Sequence, residues 1–214
     1  MTGTMEPLTR YRERQSTDRA DLDRLLDTEW WGVLAVVRGG CPITVPTLYV
    51  RDGDWLLVHG SSGAHTLGVR GRNARASFCV TAMDALVVAV SSFDSSAAYR
   101  SAVISGVLEP ASDQQRDSML ERFTDGLLPG RTEEIRASTK KELAKTSVLR
   151  LPIADGEWIY KARPMTAPGV PDDPADAGTS AWSGLVPMTR GFGAPVTSDW
   201  CTAEVPTSVR NLAG

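Results

Sequence analysis

The sequence predicts a mainly β fold of the α+β class: a barrel or sandwich with a few peripheral helices. Three observations lead there. At least seven short apolar or β-branched runs recur, several at hairpin spacing. Few segments carry helical periodicity. No regular strand–helix–strand alternation, GxGxxG or Walker sequence occurs, which argues against a doubly wound nucleotide fold.

The elements follow in order. From Asp18 to Glu29 the spacing predicts a helix, with Leu22, Leu25 and Leu26 on one face and acidic residues in the first turns. "WGVLAVV" and "ITVPTLYV" read as strands separated by Gly39-Gly40. "RDGD" is a hairpin turn and "WLLVHG" a third strand. "AHTLGVRGRN" predicts a short helix, then "ARASFCVT", "ALVVAVSS" and "SAVISGVLEPA" three further strands. "DQQRDSMLERFTDGLL" is helical, with Met119, Leu120 and Phe123 on one face. "STKKELAKT" is a second helix, where Glu142 after Thr139 completes a capping box. "SVLRLPI" and "EWIYKAR" close the sheet. Residues 1–17 form an N-terminal extension, 18–163 the barrel domain, and 164–214 an extended tail rich in Pro, Gly, Ala, Asp and Thr.

Composition narrows the function. A formal net charge of −3 implies no general attraction to nucleic acid or anionic membrane. No apolar run approaches the roughly 20 residues that span a bilayer. The polar N-terminus lacks the apolar stretch of a signal peptide. Cys41, Cys79 and Cys201 are odd in number and widely spaced, so neither a disulfide framework nor a CxxC site is indicated. A soluble, reduced, cytoplasmic protein is expected.

The chain has two histidines, both in "HGSSGAHT". A metal reading of His59 and His65 lacks a third ligand. A second reading is a polar loop closing a strand, with His59 merely hydrogen-bonded. A third is an anion cradle in which backbone N–H groups and the Ser61, Ser62 and Thr66 hydroxyls face a phosphate. Tyr99 and Arg100 at the mouth of a strand read either as an edge ion pair or as a phosphate or ring contact. Trp182, in a polar tail, reads as a docking anchor or as cofactor-facing. Nothing picks out a catalytic triad, and the catalytic residues stay unassigned.

Taken together in order, "WGVLAVV" with "CPITVPTLYV", "LLVHGSSG", "ALVVAVSSF", "YRSAVISG", "LLPGR", "KELAKTSVL", "YKAR" and "WSGLVPM" resemble the pyridoxamine 5′-phosphate oxidase-like family. The closer likeness is to its flavin-nucleotide-binding, nitroimidazole-resistance-related branch. The resemblance implies an FMN-binding split β-barrel, usually a homodimer with the flavin at the subunit interface. It places Pro42 through Thr44, Val45 and Pro46 near the isoalloxazine ring. His59, Gly60, Ser61 and Ser62 would follow the ribityl-phosphate chain, with Thr66 nearby. Tyr99, Arg100 and Ser101 would approach from a neighbouring strand, and Trp182 from the tail. The branch commonly carries Ser-Arg where this chain has Ala64-His65, an Arg at Val90 and a His at Asp94. His65, Arg70 or Arg100 would then supply the missing cation. The implied function is a flavin-dependent oxidoreductase acting on a small molecule. The alternatives are a non-catalytic flavin-binding or sensing module, or the same barrel with haem, a deazaflavin or no cofactor. A haem would need His59 or His65 as axial ligand.

Overall fold

The structure, a computed structural model, describes residues 9–64, 73–171, 173, 176 and 178–212. Helix α1 (Arg19–Thr28) starts where the Asp18 carboxylate accepts the Ala20 N–H at 2.9 Å, and it buries Leu22, Leu25 and Leu26. Eleven strands occur among the described residues. They are β1 (Gln15–Ser16), β2 (Trp31–Arg38), β3 (Cys41–Leu48), β4 (Val50–Asp52), β5 (Trp55–Ser61), β6 (Arg75–Val88), β7 (Ser96–Val107), β8 (Glu109–Pro110), β9 (Thr146–Pro152), β10 (Trp158–Arg163) and β11 (Gly184–Pro187). Burial alternates along β2, β6 and β7. The larger sheet runs β1-β10-β7-β6-β2-β3 with β11 also on β6; the smaller runs β4-β5-β9-β8. All pairings are antiparallel.

Two corners pass the chain from one sheet to the other. Tyr49 separates β3 from β4, and Leu108 separates β7 from β8; both are buried. The Tyr49 hydroxyl donates to the Leu26 carbonyl at 3.0 Å, which fixes α1 across the corner. Between the sheets lie Leu34, Phe78, Val80 and Ile104 from one side and Leu56, Val58, Leu149 and Leu151 from the other. The opposite face of the smaller sheet packs Leu57 and Val148 against Met119 and Phe123 of α2 (Asp113–Leu127). The apolar run of β5 is explained by this arrangement: both of its faces are covered.

At the β4–β5 turn Gly53 takes φ +60°, which only glycine adopts without strain. Gly32 allows β2 to approach β6 closely. A Cβ there would collide with the Phe78 ring and lie 2.7 Å from the Cys79 carbonyl oxygen. Capping boxes open both α2 (Ser112 with Gln115) and α4 (Lys140–Lys145, Thr139 with Glu142).

Three expectations change. "ARASFCVT" and "ALVVAVSS" are one 14-residue strand, β6, continued through a bulge between Met83 and Ala85. Strand β7 starts at Ser96, so Tyr99 and Arg100 lie inside a strand and not at its mouth. The tail is not merely loop-like. Its β11 pairs with Ala85–Val88, the half of the β6 edge that β2 leaves free, and Leu185 packs on Ala85, Val87 and Ala98. Further on, α5 (Thr207–Arg210) presents Ser208 to Glu134 of α3 (Arg131–Glu134). The helix expected over residues 64–73 lies almost wholly outside the described residues.

Candidate functional site

Strand register sorts the site residues into faces, because Cα partners in a sheet share a side. Thr44 pairs with Ala35, Ala35 with Ser77, and Ser77 with Ser105. Pro46, Val33, Cys79 and Val103 form the next row. Thr81 with Ser101, and Met83 with Tyr99, continue it along β6 and β7. The alternating positions Leu34, Val36, Phe78 and Val80 are core, so these rows lie on the outward face of the larger sheet.

That face is carpeted with small side chains. Ser77 and Ser105 share a hydrogen bond between their Oγ atoms at 3.0 Å. With Ala35, Val37, Pro42 and Arg75 they line a cavity of about 380 Å³. A flat ring can lie on such a surface, and the Ser and Thr hydroxyls offer both donors and acceptors to its edge. Ser77 and Ser105 were missed in the sequence. Their signal is a run of small outward residues, which only the strand register exposes.

Thr44, Pro46, Tyr99 and Ser101 therefore share one face, with Pro42 in the cavity on it, while Val45 and Arg100 do not join them. Val45 pairs with Leu34, and Arg100 with Ala82, so both lie on the inward side. The Arg100 guanidinium forms a two-bond pair with Asp84, Nε to Oδ2 at 3.0 Å and Nη2 to Oδ1 at 2.7 Å. That hydrogen bonding raises its pKa further, against the opposing effect of burial. A guanidinium already matched by a carboxylate is poorly placed to carry a phosphate's charge. Of the two readings of Arg100, the geometry is that of an ion pair.

His59 lies on the α2 side of β5. Its ring meets Phe123 edge-on, centroids 4.4 Å apart and planes at 88°, and burial lowers its pKa. Gly60 and Ser61 pair with Ser147 and Thr146. Among the described residues of the expected cradle, the amides of Ser62, Gly63 and Ala64 are already committed. Ser62 N–H donates to Lys145 O at 2.9 Å, Gly63 N–H to Ser61 Oγ at 3.3 Å, and Ala64 N–H to Ser61 O at 2.9 Å. The described part leaves the strand in a closed turn, where the Ser62 hydroxyl and the Ser61 Oγ that accepts the Gly63 N–H face a ligand's side. His65, Thr66 and Arg70 lie outside the described residues.

Around Asp94 the chain builds a turn. Ser91 Oγ donates to Asp94 Oδ2 at 2.7 Å and accepts the Asp94 N–H at 3.1 Å. Trp182 sits at the far end of β6. Its ring covers Gly184, where a Cβ would stand 2.6 Å away, yet the side chain stays exposed. Ser183 Oγ donates to Val88 O at 3.2 Å. Among the described residues no three His, Cys, Asp or Glu side chains gather as a metal would need, and no helix is long and apolar enough to cross a membrane.

Residues 18–157 match the family model described as pyridoxamine 5′-phosphate oxidase. The chain belongs to that family. Three solved structures show how the family's barrel is elaborated. The FAD and heme binding protein from Mycobacterium smegmatis is 44% identical, covers 94% of this chain and 98% of its own, and superposes with a TM-score of 0.86. The flavocytochrome Anf3 from Azotobacter vinelandii is 26% identical over 96% of this chain and 94% of its own, also at 0.86. A putative 5-nitroimidazole antibiotic resistance protein from Bacteroides thetaiotaomicron, at 15% identity and a TM-score of 0.56, covers 69% of this chain and 85% of its own and shares the fold. No curated protein sequence matches significantly. The first two proteins are thus similar to this chain over more than nine tenths of its length.

Proposed function

We propose that the chain binds a flavin nucleotide, FAD in place of the FMN first expected, on the outward face around Ala35, Thr44, Ser77 and Ser105, carries haem as a second cofactor, and acts as an oxidoreductase on a small molecule. The reading rests chiefly on 44% identity along 94% of the chain to a protein described as FAD and heme binding. The flat floor of small, hydroxyl-bearing residues supports the flavin half. For the haem half, one of the two histidines is packed against Phe123, which leaves His65 as the axial ligand to test. Bound flavin would supply hydride and single-electron chemistry, and haem would pass single electrons. The protein's own part is to orient the ring against the sheet and to keep water from its face.

A homodimer would build on the β2–β3 hairpin beside this face. Val37 and Ile43 stand exposed at the tip of the β2–β3 hairpin. A second copy would cover it and close the flavin between subunits.

Filling the floor tests the assignment. Ser77→Phe and Ala35→Phe put bulk where the ring would lie while leaving the core side of the strands unchanged. Titration of flavin-free protein with FAD, followed by fluorescence quenching, is expected to show at least about a tenfold weaker Kd for each, or ~1.4 kcal/mol. Wild-type affinity in both variants, with melting temperatures unchanged, would move the flavin elsewhere.

A further inference from the structure

A second site lies toward the other end of β6. A cleft of about 520 Å³ opens between the end of α1, the β3–β4 corner and the end of α2. One of about 840 Å³ opens over Met83, Asp84 and Arg100. Both are lined by Trp30, Phe192 and Leu212, so they are two lobes of one groove. Trp30 and Phe192 form the neck, with ring centroids 5.5 Å apart and planes at 32°.

The tail builds the outer wall, and it is firmly attached. The Met188 N–H donates to the Asp84 carbonyl at 2.9 Å, at the bulge of β6. Arg190 Nη2 reaches Glu29 Oε1 at 2.5 Å, and the Glu29 side chain is only 4% exposed. A buried carboxylate is stable only when paired, so this contact holds the strap over the groove.

The lining selects a ligand class. One lobe is mainly apolar, with Leu48, Val50, Leu127 and Leu128 beside the Arg51–Asp27 ion pair. The other combines Trp31, Met83 and Met188 with Asp84, Arg100 and Arg190. Its two guanidinium groups are each matched by a carboxylate, so no net positive charge draws a multiply charged anion. Arg190 gives Glu29 one nitrogen, and its remaining N–H groups have no acceptor among the described residues. Trp30, Trp31 and Phe192 are each nearly half exposed inside this groove. An occupant that covered them would gain the burial that the apo surface lacks. Each lobe has the size of a small-molecule site.

We propose that this groove binds an amphiphile: a flat aromatic head with an acceptor oxygen for Arg190, and an aliphatic chain in the Leu48–Leu128 lobe. The proposal stands independently of the flavin reading, since the groove shares no residue with the Ala35–Ser77–Ser105 floor.

N-undecyl dansylamide is a suitable probe, with an aromatic head, sulfonyl oxygens and an uncharged alkyl chain. Tryptophan-excited dansyl emission should rise saturably on titration of the full-length protein as purified. Phe192→Ala and Leu212→Glu are expected to weaken its binding at least about tenfold, with melting temperature and bound flavin unchanged. No saturable binding by the wild type, or wild-type affinity in both variants, would overturn the proposal. So would parallel loss of probe and flavin binding in these variants, which would make the groove part of the flavin site.

Discussion

Arg100 holds Asp84 through two parallel N–H···O bonds, and Asp84 is the residue left without a partner where the β6–β7 register shifts between Met83 and Ala85. The bulge thus turns a carboxylate onto the same side as a guanidinium of the next strand. The pair thus ties β7 to β6 at the bulge.

Arg100→Ala should therefore lower stability by about 1–3 kcal/mol, the cost of leaving a part-buried carboxylate unpaired. FAD affinity should stay within about twofold of wild type. Denaturant melts and flavin titrations on the same variant separate the two effects, and a large loss of affinity with intact stability would restore Arg100 to the cofactor site.

A similar argument applies to the tail. Arg190→Ala leaves Glu29 buried without its partner and should cost about 2–3 kcal/mol. Adding Glu29→Gln should recover much of that loss, because the amide is neutral. A double mutant no more stable than Arg190→Ala would mean that Arg190 acts through something other than this carboxylate.

Acid should destabilise the fold in two stages. Burial against Phe123 lowers the His59 pKa, so the unfolded chain binds this proton first and stability falls as pH drops below about 6.5. Asp125 and Glu134 have lowered pKa values, through hydrogen bonds from Thr132 and from Ser208 respectively. Their contribution is present above about pH 4 and is lost as pH falls further. Urea melts between pH 8 and pH 3 (roughly the span of these groups) should show both stages. His59→Leu should remove the first stage alone; an unchanged upper stage would refute that assignment.

Val37 and Ile43, exposed at the tip of the β2–β3 hairpin, are expected to lie in a homodimer interface burying more than about 1,200 Å². Sedimentation at micromolar concentration should show a dimer, and Val37→Arg should shift it toward monomer. A monomeric wild type would contradict the prediction.

Much of the barrel was legible in the sequence, for identifiable reasons. Leu22, Leu25 and Leu26 carry a helical period, and Thr139 with Glu142 a capping pair, so α1 and α4 declare themselves locally. The length of β6 did not, because the bulge at Asp84 interrupts the alternation on which strand reading depends. "HGSSGAHT" looks like a cradle by residue type. The described part spends its amides on a turn, a backbone fact that side-chain identity does not encode. Arg100 and Ser101 are neighbours in the chain yet face opposite sides of a strand. Once Tyr99–Ser101 is known to lie within β7, the two-residue period assigns Ser101 to the outward floor and Arg100 to Asp84.

The absorption spectrum of the protein as purified, followed by identification of what acid releases from it, tests the central claim most directly. The account predicts a flavin band at about 450 nm and a haem band near ~400 nm, with FAD in the extract. A colourless protein that takes up neither FAD nor haemin on titration would contradict it.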